Sequence, residues 1–113
     1  MSAITTHVLD TARGLPAAGV RVRLERLSGA PGGWEEVGAA RTDADGRAAA
    51  LAPPAVAAGR YRLTFDTGGY FEENGQPSFF PEVAVQFVVD GSAGHWHVPL
   101  LLNPYGYSTY RGS

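Results

Sequence analysis

The stretch Val20-Arg21-Val22-Arg23-Leu24-Glu25-Arg26-Leu27 decides the fold class of this chain. Apolar and polar side chains alternate along it, which places Val20, Val22 and Leu24 on one face of a β-strand. A second stretch at 83–89, Val-Ala-Val-Gln-Phe-Val-Val, is rich in β-branched residues, and these also favour a strand. The sequence therefore predicts strands that each turn an apolar face toward a core.

Further segments of the same kind follow one another along the chain, separated by turn residues. We predict strands at 4–9, 20–27, 34–42, 47–51, 60–67, 83–89 and 95–102, a last short strand from Tyr107, turns or loops at 13–19, 29–33, 43–46, 90–94 and 103–106, and one helical turn within 69–75. The Ala-rich segment at 48–58 suggests a helix by composition, but Pro53 and Pro54 disfavour one. Seven or eight short strands with one short helix predict an all-β fold, a two-sheet β-sandwich. No linker divides the 113 residues, so we expect a single domain over 1–113.

Composition and charge exclude several classes of protein. The formal net charge is −2, and the nine basic residues, all arginine, are scattered, so we expect no nucleic-acid or anionic-membrane partner. No apolar stretch reaches the roughly 20 residues that a spanning helix needs. The chain has no cysteine, which fits a reducing compartment, and its first residues lack a basic segment followed by an apolar one. We therefore expect no secretory signal and a cytoplasmic location.

The three histidines are the first candidates for chemistry. His95 and His97 are two residues apart on a predicted strand, so their side chains share a face, and His7 lies in the first predicted strand. Histidine is the side chain best suited to move protons near neutral pH. Two other interpretations stay open: histidines held only by structural hydrogen bonds, and a zinc site with His7 as the third ligand. The spacing does not show whether His7 reaches the other two.

Two further features stand out. Arg47 follows the turn Asp43-Ala44-Asp45-Gly46, where it is either a solvated strand residue or part of a site. The segment 105–113, Tyr-Gly-Tyr-Ser-Thr-Tyr-Arg-Gly-Ser, contains three tyrosines and Arg111. Tyrosine and arginine are favoured at binding surfaces, although the same aromatics would also suit an edge strand that covers the sandwich.

Several motifs, taken together, resemble those of the transthyretin-like 5-hydroxyisourate hydrolases. They are Tyr110-Arg111-Gly112-Ser113, the preceding block 95–109 (His-Trp-His-Val-Pro-Leu-Leu-Leu-Asn-Pro-Tyr-Gly-Tyr-Ser-Thr), Thr6-His7-Val8-Leu9-Asp10, Thr42 to Arg47, and Tyr70-Phe71 with Phe79-Phe80-Pro81-Glu82. The matches run in order from His7 to Ser113, and the C-terminal block is highly specific. The chain departs from the usual pattern at Trp96, where the family has Tyr, and at Asn103, where it has Ser.

The resemblance implies a transthyretin-like sandwich that hydrolyses the lactam of 5-hydroxyisourate to 2-oxo-4-hydroxy-4-carboxy-5-ureidoimidazoline, a step in urate (purine) degradation. It implies no metal and no organic cofactor, and a homotetramer, a dimer of dimers, with active sites in a channel at the dimer–dimer interface. The catalytic residues that it implies are His7, Arg47, His97 and Ser113. We expect the substrate-binding residues to be Arg47, His95, Tyr110, Arg111, Gly112 and Ser113.

A binding protein is the rival from another class. Transthyretin has the same sandwich and carries small hormones in the equivalent channel, but it lacks the three-histidine set and the Tyr-Arg-Gly-Ser ending. Their presence at His7, His95, His97 and 110–113 therefore favours an enzyme over a carrier.

Overall fold

A computed structural model describes residues 2–92 and 94–113. Within these ranges the chain forms nine strands and one short helix. The elements are β1 (Ile4–Asp10), β2 (Leu15–Pro16), β3 (Arg21–Leu27), β4 (Trp34–Arg41), β5 (Arg47–Ala48), β6 (Gly59–Phe65), α1 (Thr67–Glu73), β7 (Val83–Val89), β8 (Trp96–Asn103) and β9 (Gly106–Thr109). In the described ranges no helix is long and apolar enough to cross a membrane.

The strands form two sheets, as the alternating pattern predicts. One sheet has the order β2-β1-β8-β9, with the short β5 paired to β1, and the other has the order β4-β3-β6-β7. All pairings are antiparallel except that of β1 with β8, which is parallel and runs from Ile4 opposite Trp96 to Asp10 opposite Leu102. The predicted two-sheet sandwich with one short helix is confirmed.

The core lies between the two sheets and follows the period-two pattern of the strands. Every second residue of β1 from Ile4 to Asp10 is buried, as are Trp96, Val98, Leu100 and Leu102 of β8. The side chains between them project from the other face of the sheet. Trp96 therefore belongs to the core and points away from His97, as expected from the sequence.

Several predicted boundaries move for local reasons. The strand predicted at 47–51 ends at Ala48, and Leu15–Pro16 forms a two-residue strand inside the segment predicted as a turn, which brings the count to nine rather than seven or eight. The helix begins at Thr67, before the predicted Gly69, because the Asp66 carboxylate caps it by accepting from Gly69 N at 3.0 Å. The predicted loop at 90–94 includes residue 93, which lies outside the described residues.

A buried polar contact fixes the end of β1. Asp10 is fully buried, and its carboxylate accepts hydrogen bonds from Tyr70 Oη at 2.7 Å and from the backbone N–H groups of Ala12 and Arg13 at 3.1 Å. Burial and the neighbouring Asp10 carboxylate raise the pKa of Tyr70, which therefore stays protonated and able to donate. The contact ties α1 to the strand that carries His7.

Candidate active site

The outer face of the β1–β8 sheet gathers most of the polar residues singled out in the sequence. The parallel register places Thr5 opposite His97 and His7 opposite Pro99, and the antiparallel register of β5 places Arg47 opposite His7. Since paired residues in neighbouring strands project from the same face, all of these side chains point away from the core.

The turn before β5 holds Arg47 against β1. The Asp43 carboxylate accepts from Asp45 N at 2.9 Å and from Arg47 N at 3.0 Å. Gly46 has φ 76°, and a Cβ there would lie 2.4 Å from Val8 O, so a glycine is required for this close approach. The turn therefore fixes the backbone position of Arg47, from which its side chain projects.

The same turn orients His7. His7 Nε2 lies 2.8 Å from the backbone oxygen of Asp45. A carbonyl only accepts, so Nε2 carries the proton and donates. In the neutral ring Nδ1 then carries the lone pair.

Thr5 lies between the other two histidines. Its Oγ1 is 2.8 Å from His97 Nδ1 and 2.9 Å from His95 Nε2. The two imidazole rings are stacked, with centroids 6.2 Å apart and planes inclined by 17°. His97 is half-buried, whereas His95 is exposed.

The C-terminal segment crosses the histidine pair. Gly112 N donates to the backbone oxygen of His97 at 2.8 Å, in an isolated antiparallel bridge between the two residues. A Cβ at Gly112 would lie 2.6 Å from His97 Cδ2, closer than side chains tolerate. The glycine therefore allows the tail to lie against the ring and brings Ser113 beside it. A depression of about 430 Å³ opens there, and it is lined by Thr5, Thr6, Arg47, Ala49, His95, His97 and Ser113.

Electrostatics favour the neutral form of His97. Burial lowers the pKa of His97 below its ordinary value, and the charge of Arg47 and the neighbouring His95 and His7 lower it further, while a hydrogen bond with the Thr5 backbone opposes them. A neutral imidazole next to a fixed guanidinium can accept a proton while an anion forms nearby.

The structure separates the predicted site residues into four groups. Arg47, His95, His97 and Ser113 line the depression, and His7 lies beside it without lining it. Gly112 lies against the His97 ring. Tyr110 and Arg111 line a different depression of about 320 Å³, between β7 and β8, together with Phe87 and Trp96. In the described ranges no group of three or more His, Cys, Asp or Glu side chains has the arrangement of a metal site, so the geometry does not support zinc held by the three histidines.

The family of the chain follows from a comparison with known proteins. The model of the HIUase/Transthyretin family matches residues 4–112. The chain belongs to this family. The 5-hydroxyisourate hydrolase of Caulobacter vibrioides is 50% identical over 117 residues, with all of both chains covered.

Solved members of the HIUase/Transthyretin family share the backbone. The Klebsiella pneumoniae 5-hydroxyisourate hydrolase superposes with a TM-score of 0.86 at 40% identity, covering 99% of this chain and 100% of that one. Transthyretin from Sparus aurata superposes with a TM-score of 0.92 at only 29% identity, covering 99% and 97%. The more distant sequence has the higher structural score, so the backbone does not separate the two kinds of family member.

Sequence reasoning missed Thr5 as a site residue. Its hydroxyl contacts both histidines, yet in the sequence it is an ordinary threonine in a strand where threonine is favoured. Only the register between β1 and β8, which the sequence does not state, places Thr5 opposite His97. The alternation of β1 was the available signal, because it puts Thr5 and His7 on one face.

Proposed function

We propose that this chain is a 5-hydroxyisourate hydrolase, which opens the lactam of its substrate to give 2-oxo-4-hydroxy-4-carboxy-5-ureidoimidazoline in urate degradation. The observation that carries the proposal is the convergence of Arg47, His97 and Ser113 around one depression. The 50% identity to the Caulobacter vibrioides hydrolase over full length supports it.

His97 is the general base of this proposal. Within residues 2–92 and 94–113 its Nδ1 is engaged by Thr5 while Nε2 has no hydrogen-bond partner, so Nε2 is the nitrogen available to a water molecule. Its lowered pKa keeps the imidazole neutral near pH 7. His97 takes a proton from water, the water oxygen bonds to the lactam carbon, and the C–N bond breaks as the proton passes to the leaving nitrogen.

Arg47 and Ser113 bind and orient the substrate. The guanidinium of Arg47 pairs with the anionic ring or with the negative charge that develops on the lactam oxygen. The Ser113 hydroxyl positions the substrate or the water. His7, whose Nε2 is bound to Asp45 O, keeps its Nδ1 lone pair for a second role in proton transfer. His95 acts through its contact with Thr5 rather than on the substrate.

Tyr110 and Arg111 contribute to the site from a neighbouring depression. His97 lines both this depression and the catalytic one, so Tyr110 and Arg111 lie near His97 without lining the catalytic depression. Gly112 allows the tail to lie against the ring. We propose that these residues set the position of His97 and Ser113.

The proposal also covers the oligomeric state, the cellular location and the absence of a cofactor. The site lies on an exposed sheet face, and among the strands of the described residues β7 and β9 each lie at the edge of a sheet, where backbone groups can pair with another chain. This supports a homotetramer, a dimer of dimers, in which a second copy closes each site. We propose one domain over 1–113, a cytoplasmic location consistent with a chain that lacks cysteine, and catalysis without metal or organic cofactor. Activity should survive exhaustive chelation.

A hormone-type carrier is the second candidate, favoured by one observation. The backbone superposes on Sparus aurata transthyretin with a TM-score of 0.92. The His, Arg and Ser side chains around the depression argue for hydrolysis instead, since a carrier needs no base that stays neutral beside an arginine.

The test compares the two activities on one preparation. Loss of freshly made 5-hydroxyisourate is followed by ultraviolet absorbance with and without folded protein, and thyroxine binding is measured in parallel by titration. We expect hydrolysis far above the spontaneous rate. Folded protein that binds thyroxine and leaves the spontaneous decay unchanged would replace the enzyme with the carrier.

A further inference from the structure

The Thr5 hydroxyl joins two histidines and has one proton to give. Its Oγ1 is 2.8 Å from His97 Nδ1 and 2.9 Å from His95 Nε2. A hydroxyl donates one hydrogen bond and accepts up to two. If Thr5 donates to one imidazole nitrogen, the other nitrogen must carry a proton and donate to Thr5. The hydroxyl therefore couples the tautomer of His97 to that of His95.

The hydrogen bonds through Thr5 can run in two directions, and each direction leaves a different nitrogen of His97 unprotonated. If Thr5 donates to His97 Nδ1, the neutral ring carries its proton on Nε2 and has no lone pair for a water molecule. If Thr5 donates to His95 Nε2, then His97 Nδ1 donates to Thr5, and Nε2 carries the lone pair. His95 is exposed, so its ring exchanges protons with solvent and can adopt the tautomer with a proton on Nδ1.

We propose that Thr5 is a positioning residue that accepts from His97 Nδ1–H, donates to His95 Nε2, and so holds His97 in the tautomer whose Nε2 is a base. The inference rests on the proposed function only for its consequence in turnover, because the tautomer is a property of the protein alone. The hydrogen-bond chain His97–Thr5–His95 gives His95 a role, because its Nε2 accepts the hydrogen bond from Thr5 that fixes the direction of the chain.

The position of Thr5 suits this task. The backbone pairing of β1 with β8 places it opposite His97, and the β-branched side chain restricts its rotamers. Gly112 lies against the Cδ2 side of the same ring, so the ring is held from two sides. Holding both the plane and the tautomer is what a base needs when it must meet a water at one nitrogen.

The experiment uses three variants of the full chain. Thr5→Val removes the hydroxyl and keeps the branched shape, and Thr5→Ser restores a hydroxyl. Thr11→Val is the matched control, because Thr11 Oγ1 also bonds from the end of β1 to β8, donating to Leu102 O at 3.1 Å, far from the histidines. Each variant is assayed for kcat and KM on 5-hydroxyisourate and for thermal unfolding. The imidazole ¹⁵N shifts of His97 are recorded at a pH of about 8.5, where histidines are neutral.

We expect the wild-type His97 spectrum to show a protonated Nδ1 and an unprotonated Nε2. In Thr5→Val the proton should move toward Nε2, and kcat should fall by at least about 10-fold, part of the roughly 10²–10⁴-fold that a general base contributes. KM should change little. Thr5→Ser should recover most of kcat, and Thr11→Val should keep it.

Two results would overturn the inference. A wild-type His97 with its proton on Nε2 would do so whatever the variants show, even if Thr5→Val does not fold. So would a folded Thr5→Val with an unchanged tautomer and kcat. If the wild-type protein does not hydrolyse 5-hydroxyisourate at all, the proposed function fails, and the ¹⁵N spectra still decide the role of Thr5.

Discussion

At the scale of single residues, the proposed mechanism depends on the protonation state of His97. Burial, Arg47 and the other two histidines all lower its pKa. The base form is the neutral ring, so activity is present above this pKa and is lost as the pH falls through it. A lowered pKa of His97 therefore extends activity to lower pH.

The direction of the His97 pKa shift predicts the form of the pH profile. The acid limb of kcat/KM should have its midpoint below the ordinary histidine value of about 6.5. Arg47→Gln removes the second-largest cause of the shift, so it should move the midpoint upward as well as reduce the rate. The measurement is kcat/KM against pH after subtraction of spontaneous decay. A wild-type midpoint above the ordinary value, or a downward move in Arg47→Gln, would contradict it.

Gly112 provides a second prediction at this scale. A methyl group there would lie 2.6 Å from His97 Cδ2 and 3.3 Å from Pro99 Cγ, so the tail or the ring must shift. We expect Gly112→Ala to lower turnover by roughly 10²-fold, since displacement of a catalytic group by about 1 Å has that effect. Thermal unfolding should change little, because the contact lies outside the core. Gly29→Ala is the matched control, because Gly29, like Gly112, does not have a positive φ, and a Cβ there meets open space.

At the scale of elements, the tail after β9 brings its residues to the site by a single bridge. β9 ends at Thr109, and Gly112 then pairs with His97 across the isolated bridge. None of the residues from 110 to 113 belongs to the buried core. Changes in this segment should therefore impair turnover without unfolding the protein.

We expect a chain that ends at Thr109 to lose most turnover and to stay folded. The core strands β3 and β7 pair within the other sheet, so their backbone pairing does not involve the deleted residues, whereas the bridge to His97 is lost. Turnover and thermal unfolding are measured on the same sample. Near-normal turnover would show that the tail only covers the sandwich. If folding is lost as well, Ser113→Ala in the full chain decides whether the hydroxyl is needed.

The elements also show which features of the structure could be predicted from the sequence. β7 matches its predicted range 83–89, because β-branched residues fill a strand that a proline precedes. The strand predicted at 47–51 stops at Ala48, because its pairing with β1 covers only two residues. Alternation placed His95 and His97 on one face. It could not place Thr5 between them, or Tyr110 and Arg111 in a separate depression, since strand register and the path of the tail depend on long-range packing.

At the scale of the whole molecule, the exposed site face and the edge strands β7 and β9 are the surfaces that a second copy could cover. The depression is open, and Val88 on β7 and Tyr107 on β9 are exposed apolar side chains at those edges. Closing such a face removes water from around Arg47 and strengthens its interaction with an anion. Assembly is therefore part of the proposed mechanism.

We expect light scattering to give a mass near four chains of 11.9 kDa each. Val88→Lys places a charge on the β7 edge, where it should weaken assembly and lower activity together. Ala30→Lys adds the same side chain and the same single charge in the exposed loop between β3 and β4, and serves as the control for charge alone. A stable monomer with full activity would contradict a site completed between subunits.

The decisive experiment measures the rate of 5-hydroxyisourate loss with wild-type protein and with His97→Asn, at equal concentrations and followed by ultraviolet absorbance. We expect the wild type to accelerate the loss well beyond spontaneous decay. We expect His97→Asn, folded and with the same assembly mass as the wild type, to be slower by roughly 10²–10⁴-fold, the contribution of a general base. A wild-type rate equal to spontaneous decay, or a His97→Asn rate equal to that of the wild type, would contradict the proposed mechanism.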